Sequence, residues 1–147
     1  MWWAQQFFYA FISTVGFSLI FNIPRRHIIP SAFTGACGWI TYQYLLNGEI
    51  STVFACFTGA CVVAALSELF CRILKEASTI FIIPGILPLV PGAGMYHTML
   101  SLLNKDFSAT ADIGTQTLLM AGSIAVAILV VSSFIRTISL IVHSDHK

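Results

Sequence analysis

Hydrophobic residues form long unbroken runs in this chain, and charged residues fall only in the short stretches between the runs. Five runs contain no Asp, Glu, Lys or Arg, and they cover residues 1–24, 27–48, 50–67, 77–104 and 113–135. A helix that crosses the hydrocarbon core of a bilayer needs about 20 mainly apolar residues, so each run is long enough to cross, the third only just. The pattern predicts an all-α, polytopic membrane protein with about five transmembrane helices.

The composition excludes most other classes of protein. Of the 147 residues, 57% are hydrophobic and 9% are charged, and the mean hydropathy is +0.87. A soluble domain carries about 25% charged residues, so this chain has too few polar side chains to cover a surface that faces water. The net charge of +1 creates no field that would attract nucleic acid or acidic partners. We predict one membrane domain, residues 1–147, surrounded by the lipid bilayer and without a nucleic-acid partner.

The distribution of Lys and Arg predicts the orientation of the chain. With five spans, one side of the membrane would hold a single basic residue, Lys105, and the other side would hold six. The six are Arg25, Arg26, Arg72, Lys75, Arg136 and Lys147. Because basic loops stay in the cytoplasm, we predict an external N-terminus and a cytoplasmic C-terminus. The first run lacks a basic n-region and is too long for the apolar region of a signal peptide, so we expect it to remain as a span.

Small residues predict where the helices meet. The sequence Phe-Thr-Gly-Ala-Cys occurs at residues 33–37 and again at residues 57–61. Small residues spaced four apart let two helix backbones approach closely in a membrane. Three such pairs are Ser31 with Gly35, Ala32 with Ala36, and Ala55 with Gly59. We expect the four cysteines to pack as small apolar residues, because their spacing fits neither a metal site nor a disulfide framework.

Polar residues at the boundaries of the runs predict solvated helix ends. The spacing of Glu68, Arg72 and Glu76 predicts two i,i+4 ion pairs on one helix that extends into the interface. The polar residues 115–117 begin the fifth run, and we expect them to mark a helix end.

The fourth run differs from the others because proline and glycine cluster in it. Residues 84–94 read Pro-Gly-Ile-Leu-Pro-Leu-Val-Pro-Gly-Ala-Gly and hold three of the five prolines. Each proline removes an N–H donor and leaves the carbonyl four positions upstream without its helical partner. The carbonyls concerned are those of Ile80, Pro84 and Leu87. We therefore predict that the helix stops near Ile83.

The backbone beyond this point offers a binding site. Proline suits the first position of a helix, so Pro91 should open a second piece. The N–H groups of Gly92, Ala93 and Gly94 then have no intrahelical partner, and with the helix dipole they favour a carboxylate or another anion. Unwound backbone at membrane depth must be buried in protein or line a wet cavity, and secondary transporters bind their substrates at such breaks. The alternative is a proline-kinked or re-entrant element with a structural purpose only.

The same segment carries a family resemblance. Residues 83–92 read Ile-Pro-Gly-Ile-Leu-Pro-Leu-Val-Pro-Gly and are followed by Tyr96. This stretch resembles the proline-rich signature of the threonine/serine exporter family and, more narrowly, that of the short second subunit of its two-protein form. Residues 15–17 (Val-Gly-Phe) and residues 21–24 (Phe-Asn-Ile-Pro) are similar to the glycine and Phe-Asn-x-Pro pattern of that subunit.

The resemblance implies an inner-membrane secondary transporter that exports small polar metabolites, either amino acids such as threonine and serine or dicarboxylates. It also implies a larger partner subunit with its own five-helix domain. By position, its motif residues are Pro84, Gly85, Pro91, Gly92 and Tyr96, with Asn22 and Pro24 in the second patch.

A few further polar side chains are candidates for a proton or substrate path. His97 is the sole titratable side chain that we expect at depth, because Glu68 and Asp112 fall at run boundaries. It is either a proton carrier or a hydrogen-bonded packing residue. Gln43 and Asn22 are candidates for lining the path, although interfacial anchoring would explain Gln43 as well.

The chemistry favours a transporter over an enzyme. No nucleophile with an acid–base pair and no set of metal ligands is visible in the runs, so we expect no catalytic residue, metal or cofactor. The scarcity of deep charges predicts that another subunit supplies the coupling groups. A non-transporting membrane scaffold or accessory subunit, and a homo-oligomeric channel, stay open as alternatives.

Overall fold

Every regular element in the described part of the chain is helical. The computed structural model describes residues 2–144, with side chains for residues 2–137, so Met1 and Lys147 lie outside it. The helices are α1 (Trp2–Ile20), α2 (Arg25–Asn47), α3 (Thr52–Leu74), α4 (Thr79–Ile86), α5 (Gly92–Leu103) and α6 (Phe107–Ser144). A short 3-10 helix, Leu87–Leu89, follows α4. The predicted all-α class is therefore confirmed for residues 2–144.

Two or three elements qualify as membrane spans by length and apolarity. Thr52–Leu74 and Phe107–Thr137 each qualify alone, and the bent pair Thr79–Leu89 and Gly92–Leu103 adds a third if it is counted as one crossing. Helices α1 and α2 have 19 and 23 residues. They are less apolar because α1 begins with tryptophans and glutamines and α2 contains many small and polar residues along its length. The count of five spans stays a prediction.

The central helix of the bundle is α2, which packs against α1, α3 and α4. Helix α6 packs against α3, and α5 contacts only α6 among the described helices. At the crossing of α2 and α3, an added Cβ on Gly59 would lie 3.0 Å from the carbonyl oxygen of Gly38. Gly35 instead faces Thr14 of α1 and the backbone of Gly85. The small-residue contacts are thus confirmed, although the two repeated glycines meet different helices.

Four helices end with a non-glycine residue in the left-handed backbone conformation. Asn22, Glu49, Lys75 and Lys105 have φ between 54° and 60° and lie one or two residues beyond the last residues of α1, α2, α3 and α5. After α1, the N–H of Asn22 donates to Leu19 and the N–H of Ile23 donates to Ser18. These paired bonds form a Schellman motif, which satisfies carbonyls at the helix end. The Phe-Asn-x-Pro patch is therefore a tight turn that sends the chain from α1 into α2.

The last helix begins earlier than the sequence predicts. The fifth hydrophobic run begins at Ile113, but α6 begins at Phe107, and Asp112 lies within the helix. Asp106 caps the helix, because its Oδ1 accepts a hydrogen bond from the N–H of Ala109 at 3.0 Å. The cap lets the helix start in polar sequence, so the expectation that residues 115–117 mark a helix end is wrong.

One end of the bundle gathers most of the basic residues. Arg26 pairs with Glu76, which joins the start of α2 to the α3–α4 connection. Arg72 donates to the carbonyl of Ile135 on α6 at 2.9 Å. We call this end the basic end, and its cations are Arg25, Arg26, Arg72, Lys75 and Arg136. The expected i,i+4 ion pairs on α3 do not form among the described side chains, because these partners on other elements are nearer.

Candidate functional site

The fourth hydrophobic run is broken, as the proline cluster predicts. Helix α4 and the short 3-10 helix form one piece and α5 forms the other, with a 52° bend between them. Leu89, the last residue of the first piece, packs against Gly38 and Gly59. Gly59 lies seven residues after Thr52, the first residue of α3, which corresponds to about 10 Å of helix. The break therefore sits well inside the length of α3.

The helix does not stop near Ile83, as the sequence led us to expect, but continues through Pro84 to Ile86. Proline at 84 leaves the carbonyl of Ile80 without its helical partner. That carbonyl accepts a hydrogen bond from the buried hydroxyl of Ser31 on α2 at 3.4 Å. The Ile80 carbonyl, which Pro84 leaves without a helical partner, thus has a hydrogen-bond donor on a neighbouring helix, and α4 tolerates the proline.

The chain unwinds further on, between the 3-10 helix and α5. The N–H of Val90 donates to the carbonyl of Leu87 at 3.2 Å, so this predicted stranded carbonyl has a partner. Pro91 has φ −77° and ψ 60°, and the N–H of Gly92 donates across it to Val90 at 2.8 Å. This is an inverse γ-turn.

Because of this γ-turn, fewer N–H groups are free than the sequence predicts. The N–H of Gly92 is engaged in the turn and is not available to a ligand. The N–H groups of Ala93 and Gly94 donate to no backbone carbonyl in the described part of the chain. They lie in the first turn of α5, where the helix dipole favours an anion.

A cavity of about 330 Å³ opens beside this break. Its wall includes residues 88–94, Trp39 and Tyr42 of α2, and Gln116 and Thr117 of α6. The indole N–H of Trp39 is occupied by Gln6, to which it donates at 3.0 Å. The phenol of Tyr42 and the amide of Gln116 are the polar side-chain groups left on this wall, opposite the backbone of the break. The hydroxyl of Thr117 donates to the carbonyl of Ile113 at 2.7 Å, so its oxygen is left only as an acceptor.

The predicted substrate residues divide into two groups. Pro91, Gly92, Ala93 and Gly94 line the cavity. Pro84 and Gly85 are buried in the bundle and lie outside its lining. An added Cβ on Gly85 would lie 2.7 Å from the hydroxyl of Thr34, so glycine there allows α4 and α2 to touch.

The other predicted residues also lie away from the cavity. Tyr96 is 64% exposed, and its ring meets that of His97 edge to face at 5.4 Å on the outer surface of α5. Gln43 is half-buried and follows Tyr42 on a different face of α2. Asn22 lies in the turn between α1 and α2. None of these side chains lines the cavity, and their role in transport stays a prediction.

Sequence reasoning missed most of the polar wall. Gln116 and Thr117 were expected at a helix end, and Tyr42 is the sequence neighbour of the predicted Gln43. The sequence alone held no signal for Thr117, because its contact with Gly94 is made only in the fold. An added Cβ on Gly94 would collide with the hydroxyl of Thr117, so α5 and α6 approach closely here.

The basic end holds a second polar cluster. Arg26 donates from Nε to Nε2 of His27 at 2.7 Å and pairs with Glu76 through its other nitrogen. The Arg26 hydrogen bond holds the pKa of Glu76 below its usual value. Nε2 of His27 also lies 3.3 Å from Oε1 of Glu76, and Nδ1 of the same ring is buried without a partner among the described residues. Glu68, expected at a solvated boundary, is instead 5% exposed.

A helical bundle with apolar spans and a discontinuous helix beside a partly polar cavity defines a membrane protein built on broken-helix architecture. A family profile described as "Threonine/Serine exporter, ThrE" matches residues 6–134. The chain therefore belongs to the threonine/serine exporter family, as the proline-rich signature predicts.

An uncharacterized protein of Haemophilus influenzae is 32% identical to this chain over 105 residues. The match covers 71% of this chain and 35% of that protein, so the chain spans about a third of the length of this relative. No solved structure matches the chain.

Proposed function

We propose that this chain is the small subunit of an inner-membrane exporter of small polar metabolites. The solutes are amino acids such as threonine and serine, or dicarboxylates, and membership of the exporter family supports this class. The partner is a larger subunit with its own five-helix domain. The Haemophilus influenzae relative is about three times as long as the matched region, and this length supports the presence of a further subunit or domain. The chain crosses five times, with the N-terminus outside.

The cavity at the break carries this proposal. Its volume of about 330 Å³ exceeds that of roughly ten liquid water molecules, at about 30 Å³ each, and accommodates an amino acid. The free N–H groups of Ala93 and Gly94 bind the carboxylate, because they point from a helix N-terminus. The oxygen atoms of Tyr42, Gln116 and Thr117 accept hydrogen bonds from the ammonium group.

Transport then requires that the cavity open to each side in turn. Among the described helices, α5 contacts only α6 and contains no buried residue, so it is held less firmly than α4. We infer that α5 and α6 move together against the α1–α4 bundle and carry one wall of the cavity with them. No covalent bond forms or breaks in this cycle.

Gly92→Phe tests the site directly. Gly92 lines the cavity, an added Cβ there meets nothing within 4 Å, and its φ is not positive, so the fold should accept a larger residue. We expect the ring to occupy the cavity and to reduce export of threonine or serine by roughly tenfold or more, equivalent to about 1.4 kcal/mol of lost binding. The measurement is efflux of the amino acid from loaded cells that express this chain with its larger partner.

The matched control is Gly122→Phe on α6, where an added Cβ also meets nothing within 4 Å and which lies away from the cavity. It should leave export unchanged. Equal efflux from Gly92→Phe and Gly122→Phe would contradict the proposed binding site. Normal complex formation without any efflux by the wild type would favour a scaffold, and passive flux independent of a gradient would favour a channel.

A further inference from the structure

A second cavity, of about 210 Å³, adjoins the cavity at the break. Trp39 and Pro88 line both cavities, and no other described residue is common to the two linings. The other residues of the second lining belong to α1 and include the polar side chains of Gln6, Tyr9 and Ser13. The two cavities are therefore neighbours, and their common wall consists of an indole ring and a proline.

Trp39 is the movable part of this wall. Pro88 lies in the 3-10 helix, and its ring is closed onto its own backbone. The side chain of Trp39 is half-buried and turns about its side-chain torsions between discrete rotamers. Its indole N–H donates to Oε1 of Gln6 at 3.0 Å, and its ring lies 5.4 Å from that of Tyr42. A side-chain hydrogen bond from α1 thus holds the indole in its position between the two cavities.

The second cavity offers hydrogen bonds to the same class of solute as the first. An indole N–H can only donate, so Gln6 presents its carbonyl oxygen to Trp39 and keeps its amide N–H groups for another acceptor. The phenol of Tyr9 and the hydroxyl of Ser13 can each donate or accept. These uncharged groups suit a carboxylate or a hydroxyl, which are polar groups of serine and threonine.

The second cavity lies toward the Trp2 end of the bundle. Helix α1 ends beside the basic end, where α2 begins, so Trp2 lies at the opposite end. Gln6 and Ser13 follow Trp2 by about 6 Å and about 16 Å of helix. The cavity opens at the surface of α1, where Tyr9 is 66% exposed. Polar groups at such depth in a membrane face water or protein, so this opening suits a path for a polar solute.

We propose that the second cavity is the next binding site on the path of the solute and that the Trp39 indole is the gate between the two cavities. In the conformation described here the gate is closed and held by Gln6. Rotation of the indole breaks this hydrogen bond and joins the cavities, so the solute passes from the break toward the Trp2 end, the external side in the proposed orientation. No covalent bond changes. The path rests on the proposed function, whereas the hold of Gln6 on Trp39 does not.

Fluorine NMR of the full chain in lipid tests the gate without any transport. Fluorotryptophan labels the three tryptophans, and Trp2 and Trp3 serve as references for Trp39. Gln6→Leu removes the acceptor, so the Trp39 resonance should shift or split as a second indole position becomes populated. Gln5→Leu is the same change at an exposed neighbour outside both linings, and it should leave that resonance unchanged. A Trp39 resonance that is the same in both variants would overturn the gate.

Exchange of labelled for unlabelled threonine then tests the path, in vesicles that contain the chain with its larger partner. Gln6→Leu should raise the exchange rate roughly threefold, because the loss of one side-chain hydrogen bond makes opening of the gate easier. The threonine concentration at half-maximal rate should stay the same, because the groups that bind at the break are untouched.

A substitution that fills the second cavity should have the opposite effect. Ser13→Phe places a ring there and should lower exchange roughly tenfold. Ile12→Phe lies beside it, at an exposed position outside both linings, and should leave exchange unchanged. Equal exchange in these two variants would overturn the second cavity as part of the path.

The outcomes separate this proposal from the proposed function. If Ser13→Phe is not inserted, exchange in Gln6→Leu that is no faster than in Gln5→Leu overturns the gate. Exchange that is lost in Gly92→Phe but unchanged in Gln6→Leu would leave the proposed function standing and overturn the gate. A wild type without any exchange, whose Trp39 resonance still responds to Gln6→Leu, would refute the proposed function and the path but confirm the hold of Gln6 on the indole.

Discussion

Two halves of one proline-rich segment have opposite environments. Around Pro84 and Gly85, the backbone is buried, stays helical and is completed by a hydroxyl of α2. Around Pro91 and Gly94, the backbone unwinds, bends by 52° and lines a cavity. The difference teaches that proline alone does not break a helix in this bundle. The helix breaks where no neighbouring helix supplies the missing donor.

The same contrast extends to the two long apolar helices. In α3, 44% of the most apolar stretch is buried inside the bundle, whereas in α6 the corresponding share is 11%. The α1–α4 side is therefore a packed scaffold, and the α5–α6 side presents most of its apolar surface outward. We expect substitutions at packed positions of the first region to act on stability, and substitutions at the cavity wall of the second region to act on transport.

Gly85→Leu should have the largest effect on stability. Its Cβ alone would approach the hydroxyl of Thr34 to 2.7 Å and Cγ1 of Val63 to 3.1 Å. Overpacking of this kind costs about 1–3 kcal/mol or more, so we expect a lower unfolding midpoint in detergent and less inserted protein. Gly122→Leu, in open space on α6, is the control and should be neutral or stabilising. Equal stability of Gly85→Leu and Gly122→Leu would contradict the difference in packing between the α1–α4 side and the α5–α6 side.

A double-mutant cycle sharpens the account of the packed half. Ser31→Ala removes the donor to the Ile80 carbonyl and should cost about 0.5–1.5 kcal/mol of unfolding free energy. Pro84→Ala restores an N–H that can satisfy the same carbonyl within the helix. In that background Ser31→Ala should cost close to nothing. Costs that simply add would show that the hydroxyl does not compensate for the proline.

The smallest expected effect concerns the pH dependence of stability at the basic end. Because the Arg26 hydrogen bond lowers the pKa of Glu76 below 4.5, the unfolded chain binds more protons than the folded chain in acid. The contribution of this pair to stability is present above pH 4.5 and is lost as the pH falls through the folded pKa. Unfolding midpoints measured from neutral to acid pH should fall less steeply for Glu76→Gln. Identical slopes would mean that the pair contributes nothing.

Much of the fold follows from local pattern. The helical class, the restart of the helix after Pro91 and the close contacts at Gly35 and Gly59 are predictable, because apolar runs, missing N–H donors and absent side chains act within a few residues. The site is only half predictable. The backbone at residues 91–94 was expected at the site, but Tyr42, Gln116 and Thr117 reach it from helices far apart in sequence.

The sequence by itself determined that this chain is a helical membrane protein with one interrupted helix, because charge content and proline chemistry need no partner to act. The tertiary structure decided which carbonyl is satisfied by Ser31, which amides stay free at Ala93 and Gly94, and that Glu68 is buried. Those outcomes depend on what a neighbouring helix presents at the same level. Packing between distant segments therefore decides that Pro84 is structural and that Pro91 lies at the proposed site. No local pattern encodes this packing.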